Sequence, residues 1–331
     1  MTLLNKMIKA CSFKGMIGLI CISFSTAISA QQLFGDRPIR IVVPYPAGGT
    51  TDLLARAIAP RLGDRLGRTV VVENKPGAGG VIGSQIVAKS PPDGHTLIFA
   101  SIASHGIIPV LQTPAPYDPV KDFSPVTLVA STPNVLLANI NLPAQNVQEL
   151  IALAKAKPGT IHFGSTSHGG SPHMSGELLK TMAGIDIVHV PYKGGSPMLI
   201  DLMGGQVQTG IDNLPSSMTY IRSGKVKALA VTTSKRWPGA PEIPTMIEAG
   251  VVGYDVSAWF GLLAPADTPK PVIDALNSNV VAILRTPEIK KQFFELGAEP
   301  VGDTPAEFAR FIQEEGVKWN KVARTNNIKL E

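Results

Sequence analysis

An α/β fold of two lobes joined by a two-strand hinge is what this sequence predicts, on three observations. Strand and helix patterns alternate through most of the chain, which implies parallel sheets covered by helices on both faces. A glycine turn, Pro44-Tyr45-Pro46-Ala47-Gly48-Gly49, joins a short β-branched run to an amphipathic helix. Towards the C-terminus the alternation stops. Pro271–Leu284, Pro287–Leu296 and Pro305–Lys321 read as three helices with proline near each start and no strands of their own.

In chain order, the β-branched and apolar runs mark strands at Arg40–Pro44, Thr69–Glu73, Thr96–Ala100, Val126–Ala130 and Val135–Ala138. Further runs follow at Ile161–Gly164, Ile187–Val190, Val207–Ile211, Ala228–Val231 and Val256–Leu263. Between them, apolar residues at helical spacing predict helices at Thr51–Leu62, Ile82–Lys89, Val147–Lys155, Pro172–Met182 and Pro197–Met203. Asn146 with Glu149 three residues on is a capping-box start, and Pro158-Gly159 a stop. The three C-terminal helices must cover a sheet formed earlier. The first lobe is therefore expected to be discontinuous, residues 31–126 with 260–331, and the second to be residues 127–259. Crossings near Phe123–Ala130 and Val256–Leu263 would form the hinge.

The first 30 residues read as a cleaved leader for export. Lys6, Lys9 and Lys14 precede an apolar stretch, Gly15–Phe24, too short to span a bilayer, and Ala27-Ile28-Ser29-Ala30 offers small residues for cleavage after Ala30. Ile20 before Cys21 is too large for a lipidation signal. Cys11 and Cys21 both fall in the leader, so the mature chain has no disulfide framework, thiolate nucleophile or cysteine metal site. The formal charge of +5 falls to +2 once the three leader lysines leave, which argues against a nucleic-acid partner.

Backbone N–H groups at the Pro44–Gly49 turn open onto a helix N-terminus, a site for an anion. A second such turn, Ser165-Thr166-Ser167-His168-Gly169-Gly170-Ser171, follows Ile161–Gly164, with Ser171 as N-cap and Pro172 at the first helical position. Alone it could be an ordinary capped loop; paired with the first it suggests a clamp for a small anion. Asp52 is placed to cap its own helix rather than touch the anion. Ser101, Asp212 and Asn213 end strands, where α/β sheets collect ligands, or are turn residues bonding their own backbone. His162, His168 and His173 lack zinc spacing, no G-x-S-x-G elbow occurs, and Gly77–Gly83 misses the dinucleotide spacing by a residue. No metal and no cofactor is expected.

Pro44–Gly49 with Asp52 and Arg56, then Val72-Glu73-Asn74-Lys75-Pro76-Gly77-Ala78-Gly79-Gly80, resemble the substrate-binding proteins of tripartite tricarboxylate transporters, the Bug receptors. So do Pro92–Leu97, Tyr117-Asp118-Pro119, Pro191-Tyr192-Lys193-Gly194, Gly224-Lys225, Ala228–Val231, Pro244-Thr245 and Trp259. The resemblance spans essentially the whole mature chain. It implies a periplasmic-binding-protein fold of the flytrap, type II-like kind: a monomeric periplasmic receptor for small organic carboxylates, with one large and one small membrane subunit as partners. Carried over residue by residue, it points to Tyr45, Ala47, Gly48 and Gly49 in one lobe and Ser165, Thr166, Gly169 and Ser171 in the other. Tyr45 replaces the usual Phe, and Ala47 stands where Pro or Gly is common. Two rival functions are a receptor feeding a signalling system and an exported lyase using His168 and Asp212 as acid and base.

Overall fold

In the computed structural model, which describes residues 34–325 and Ile328, ten strands and ten α-helices follow one another. The predicted leader, with both cysteines, lies outside the described residues. The order opens β1 (Ile39–Val43), α1 (Thr50–Leu66), β2 (Val70–Asn74), α2 (Val81–Ala88), β3 (Thr96–Ser101), α3 (Ile108–Leu111) and β4 (Phe123–Ala138). It continues α4 (Val147–Ala156), β5 (His162–Ser165), α5 (Ser171–Ala183), β6 (Val188–Pro191), α6 (Gly195–Met203), β7 (Thr209–Asn213), α7 (Leu214–Arg222) and β8 (Lys227–Val231). The chain closes through β9 (Ser257–Pro265), α8 (Lys270–Leu284), α9 (Pro287–Leu296), β10 (Glu299–Pro300) and α10 (Pro305–Thr325).

Local chemistry accounts for the boundaries. The β-branched run Ile39–Val43 pairs in parallel with β2 and β3, its apolar side chains buried against α1. Helix α1 runs four residues past the expected stop, until Gly67 takes the left-handed conformation and donates its N–H to Gly63 O. Asn146 caps α4 as expected, accepting the Glu149 amide at 2.9 Å. Thr286 caps α9 by the same device, with Pro287 at the first helical position.

Two sheets share one strand. In the first the order is β2-β1-β3-β9-β4, and in the second β4-β7-β5-β6, with β10 and β8 also pairing to β4. Residues 123–133 of β4 pair antiparallel with β9, and residues 134–138 pair with β7 and β8. The structure thus corrects three expectations. Val126–Ala130 and Val135–Ala138 are one 16-residue strand, because Pro133 falls at the passage between sheets, where its missing N–H interrupts neither ladder. The sheets are mixed, since β4 and β9 run antiparallel to their neighbours. The C-terminal part does have a strand, β10, paired with Ala130 and Ser131 and too short to read from sequence.

The expected covering of an earlier sheet by the last helices is seen: α8 and α10 pack on β4. A Cβ at Gly261 of β9 would lie 2.1 Å from the Phe308 ring of α10, so the two approach more closely than any side chain at 261 would permit. Among the described residues no helix is long and apolar enough to cross a membrane.

Candidate functional site

Four helices begin around one cleft. The cleft is lined by Tyr45, Gly49, Thr50 and Thr51 from the first turn and α1, and by Thr166, Ser167, Gly170 and Ser171 from the second turn and α5. Gly194 and Gly195 at the start of α6, and Asp212, Asn213 and Ser216 around the start of α7, add to it, and Ser101 and Phe260 lie against it from the first sheet. None of these four helices has a side-chain cap; α4 and α9, which do, begin elsewhere. The amides of Thr50, Thr51, Ser171 and Gly195 donate to no acceptor among the described residues. First-turn amides have no intrahelical partner, so each N-terminus presents open donors and the positive end of its dipole. Among the described residues no lysine or arginine lines the cleft.

The sequence-predicted residues divide. Tyr45, Gly49, Ser101, Thr166, Ser171 and Asp212 line the cleft together; Ala47, Gly48, Ser165 and Gly169 do not. The Gly48 amide is spent on Asp52 Oδ2 at 2.9 Å. Burial raises the Asp52 pKa, but Arg56, this amide and Asn74 outweigh it and hold the carboxyl below its usual range. The Ser165 hydroxyl donates to Ser167 O and accepts from His189 Nε2 at 2.7 Å, and the Gly169 amide donates to His173 Nδ1 at 3.1 Å. These groups shape the two turns from behind. Tyr45 reaches Ser101 Oγ at 2.6 Å, and burial raises its pKa.

Asp212 sits at the cleft wall, 1% exposed, without a cation beside it. Its carboxylate accepts from Ser216 Oγ at 2.6 Å, Ser217 Oγ at 2.9 Å and the Asn213 amide at 2.7 Å. Burial outweighs these bonds and pushes its pKa up to about 6. Asn134 of β4 braces the lining from behind, its Oδ1 accepting from Ser171 Oγ at 3.2 Å and Asn213 Nδ2 at 2.6 Å. Thr50 Oγ1, on α1, donates to Ser216 Oγ, on α7, at 3.2 Å across the cleft.

Sequence reasoning missed the α6 and α7 N-termini and Asn134. The strand–glycine–helix signal was present for α6 in Pro191–Gly195. For α7 the turn has no glycine, and for Asn134 no local signal exists. It also missed that His189, from β6, joins His168 and His173. Ring nitrogens of the three approach within 4.8 Å, and the His173 and His189 rings stack at 3.9 Å. Burial and the neighbouring imidazoles depress His173 to about 2 and His189 to about 4, so both are neutral at pH 7. His168 does not line the cleft that holds Asp212, so the acid–base pair imagined for a lyase is not assembled there.

Comparison with known proteins bears on the family and the fold. The sequence model of the tripartite tricarboxylate transporter family receptor matches residues 54–328. Protein BugT of Bordetella pertussis is 38% identical over 96% of this chain and 98% of its own. An R. palustris protein solved with adipate superposes with a TM-score of 0.87 at 42% identity, covering 88% of this chain and 98% of that one. MatC from Rhodopseudomonas palustris, with bound malate, gives 0.82 at 35%, covering 86% and 98%. The family and fold are those of substrate-binding receptors, not enzymes.

Proposed function

The chain belongs to the tripartite tricarboxylate transporter receptor family, and on that premise we propose that its cleft captures a small organic carboxylate by means of helix N-termini and neighbouring hydroxyls, with no basic side chain. The observation that carries this reading is the ring of four uncapped N-termini around a cleft without lysine or arginine. A carboxylate there meets open amides of Thr50, Thr51, Ser171 and Gly195 and the hydroxyls of Thr166 and Ser167. The lobes we assign are residues 31–126 with 260–331, and residues 127–259. The protein works in the periplasm as a monomer after cleavage behind Ala30, and hands its ligand to the large and small membrane subunits of such a transporter.

Hydrogen bonds to a charged group contribute roughly 1.5–3 kcal/mol each, and a micromolar complex needs about 8 kcal/mol net. Four or five such bonds, with the dipoles behind them, offset the cost of ordering the ligand. Gly49→Val tests the site. Gly49 has a φ of −79°, and its Cβ would meet only Pro46 O at 3.6 Å, so the branched side chain enters the cleft without straining the backbone. Calorimetry with malate and adipate on refolded, ligand-free protein should show stoichiometric binding by the wild type and none by the variant at an unchanged Tm. Wild-type affinity in Gly49→Val overturns the reading.

A further inference from the structure

Three histidines that do not line the cleft meet behind its second turn. His168 comes from the turn itself, His173 from the start of α5 and His189 from β6. One ring nitrogen from each lies within 4.8 Å of the other two. The His168 and His173 ring centres are 4.9 Å apart, and those of His173 and His189 3.9 Å. Hydrogen bonds fix which nitrogens can ligate. His189 Nε2 donates to Ser165 Oγ at 2.7 Å, which leaves the Nδ1 lone pair without a partner among the described residues. His173 Nδ1 accepts the Gly169 amide at 3.1 Å, so its proton is on Nε2, 3.9 Å from Glu177 Oε1. Lys180 is held on the other oxygen of that carboxylate at 2.9 Å. Among the described residues no hydrogen bond engages either ring nitrogen of His168. An acceptor on the second nitrogen is the usual support of a metal-bound imidazole. Ser165 and Glu177 are placed to give it to His189 and His173.

We propose that His168, His173 and His189 form a site for a divalent transition metal such as zinc, with His173 and His189 ligating through Nδ1 and water completing the shell. Imidazole donors suit zinc, nickel and copper, whereas magnesium and calcium take oxygen. Zinc–nitrogen bonds of about 2.0–2.1 Å at tetrahedral angles put donors roughly 3.4 Å apart. The cluster therefore closes by at most ~1.4 Å. The stacked rings also turn about Cβ–Cγ, because a metal lies in the plane of an imidazole that binds it. His168 carries most of this movement, having no hydrogen bond to lose. The metal takes the place of the Gly169 amide on His173, and the Nε2 proton closes on Glu177. Entry is through the space of about 460 Å³ beside the cleft, which His168 lines. Sequence spacing hid the site because its third ligand comes from another element. Nothing in it depends on carboxylate capture.

The test is calorimetry on tag-free protein, unfolded and refolded with chelator and then dialysed free of it. Zinc chloride should bind at one ion per chain, and magnesium chloride should give no heat. His168→Ala should weaken zinc at least about tenfold, the equivalent of 1.4 kcal/mol, at an unchanged metal-free Tm. His189→Gln keeps a donor for Ser165 and should weaken zinc as much, while His162→Gln, outside the cluster, should leave zinc affinity unaltered. With cobalt chloride in place of zinc, the wild type should show the visible absorption of a four-coordinate ion, and His168→Ala should not. Absence of zinc binding by the wild type, or equal binding by His168→Ala and His189→Gln, overturns the site. Magnesium binding as tightly as zinc overturns it as well, since that order belongs to carboxylate oxygens.

Discussion

Asp212 is the side chain whose charge matters most to a cleft built for anions. Its pKa is pushed up to about 6 because burial disfavours the ionised form more than two serines and one amide support it. An acid whose folded pKa exceeds its unfolded value of 3.8 confers stability fully present below the unfolded pKa; that stability is lost as pH rises from about 4 to about 6. Asp212→Asn should therefore gain on the wild type as pH rises through this window, by at most about 3 kcal/mol in urea unfolding. The same ionisation opposes a bound carboxylate, since two like charges ~6 Å apart at an effective dielectric of ~20 repel by nearly 3 kcal/mol. Adipate should bind the wild type at least tenfold more weakly at pH 8 than at pH 6, and Asp212→Asn should flatten that dependence; equal slopes for both proteins would refute the coupling. The sequence placed Asp212 at a strand end, where cleft wall and local turn were equally good readings. The structure gives it both places: Asp212 lines the cleft, while its bonds to Ser216, Ser217 and the Asn213 amide tie it to its own turn and the helix that follows. His189 shows the converse, a partner for Ser165 concealed by its distance of 24 positions along the chain.

Elements with a periodic pattern were legible: the sequence ranges for α9 and for the Asn146-capped α4 agree with the structure to within a residue. Elements defined by tertiary pairing were not. Strand β4 looked like two because Pro133 breaks its apolar run, and β10 has only two residues, made a strand by the backbone of β4. The same limit hid what fastens α10 to β9. Glu315 is 7% exposed, and its Oε2 accepts from Trp259 Nε1 of β9 at 3.1 Å and Trp319 Nε1 of α10 at 3.0 Å. As a sequence position it is one of three glutamates on a helix of mixed charge. Glu315→Ala leaves two buried indole N–H groups without an acceptor, at about 1–3 kcal/mol each. Urea unfolding should show a loss of about 2–5 kcal/mol, against under about 0.5 kcal/mol for Glu314→Ala on the exposed face. Equal losses would mean that the indoles find other partners and that α10 is held by apolar packing alone.

Across the whole molecule, the question is why binding needs two lobes. An exposed helix N-terminus contributes only about 0.3–1 kcal/mol towards a nearby anion, and up to ~2 kcal/mol when partly buried. Four exposed termini therefore fall well short of the roughly 8 kcal/mol of a micromolar complex, and it is the exclusion of water by closure that makes the arrangement sufficient. The chain is poised for this. From the first sheet the N-terminus of α1, with Ser101 of β3 and Phe260 of β9, approaches the anion site, facing α5, α6 and α7 of the second, and the two sides already meet where Thr50 bonds Ser216. A Cβ on Gly48 would lie 3.3 Å from Ser196 Oγ, so the jaws touch there too, at a residue that does not line the cleft. Ser196→Phe should act as a wedge. Adipate affinity should fall at least about tenfold, the equivalent of 1.4 kcal/mol, with every open amide intact. Small-angle scattering should show the radius of gyration contracting with adipate in the wild type but not in the variant at saturating ligand. The unfolding free energy should stay within about 0.5 kcal/mol of wild type, since Ser196 is partly exposed on its helix. A variant that binds and contracts like the wild type would show that one jaw holds the carboxylate unaided, and the four-helix account of the cleft would then fail.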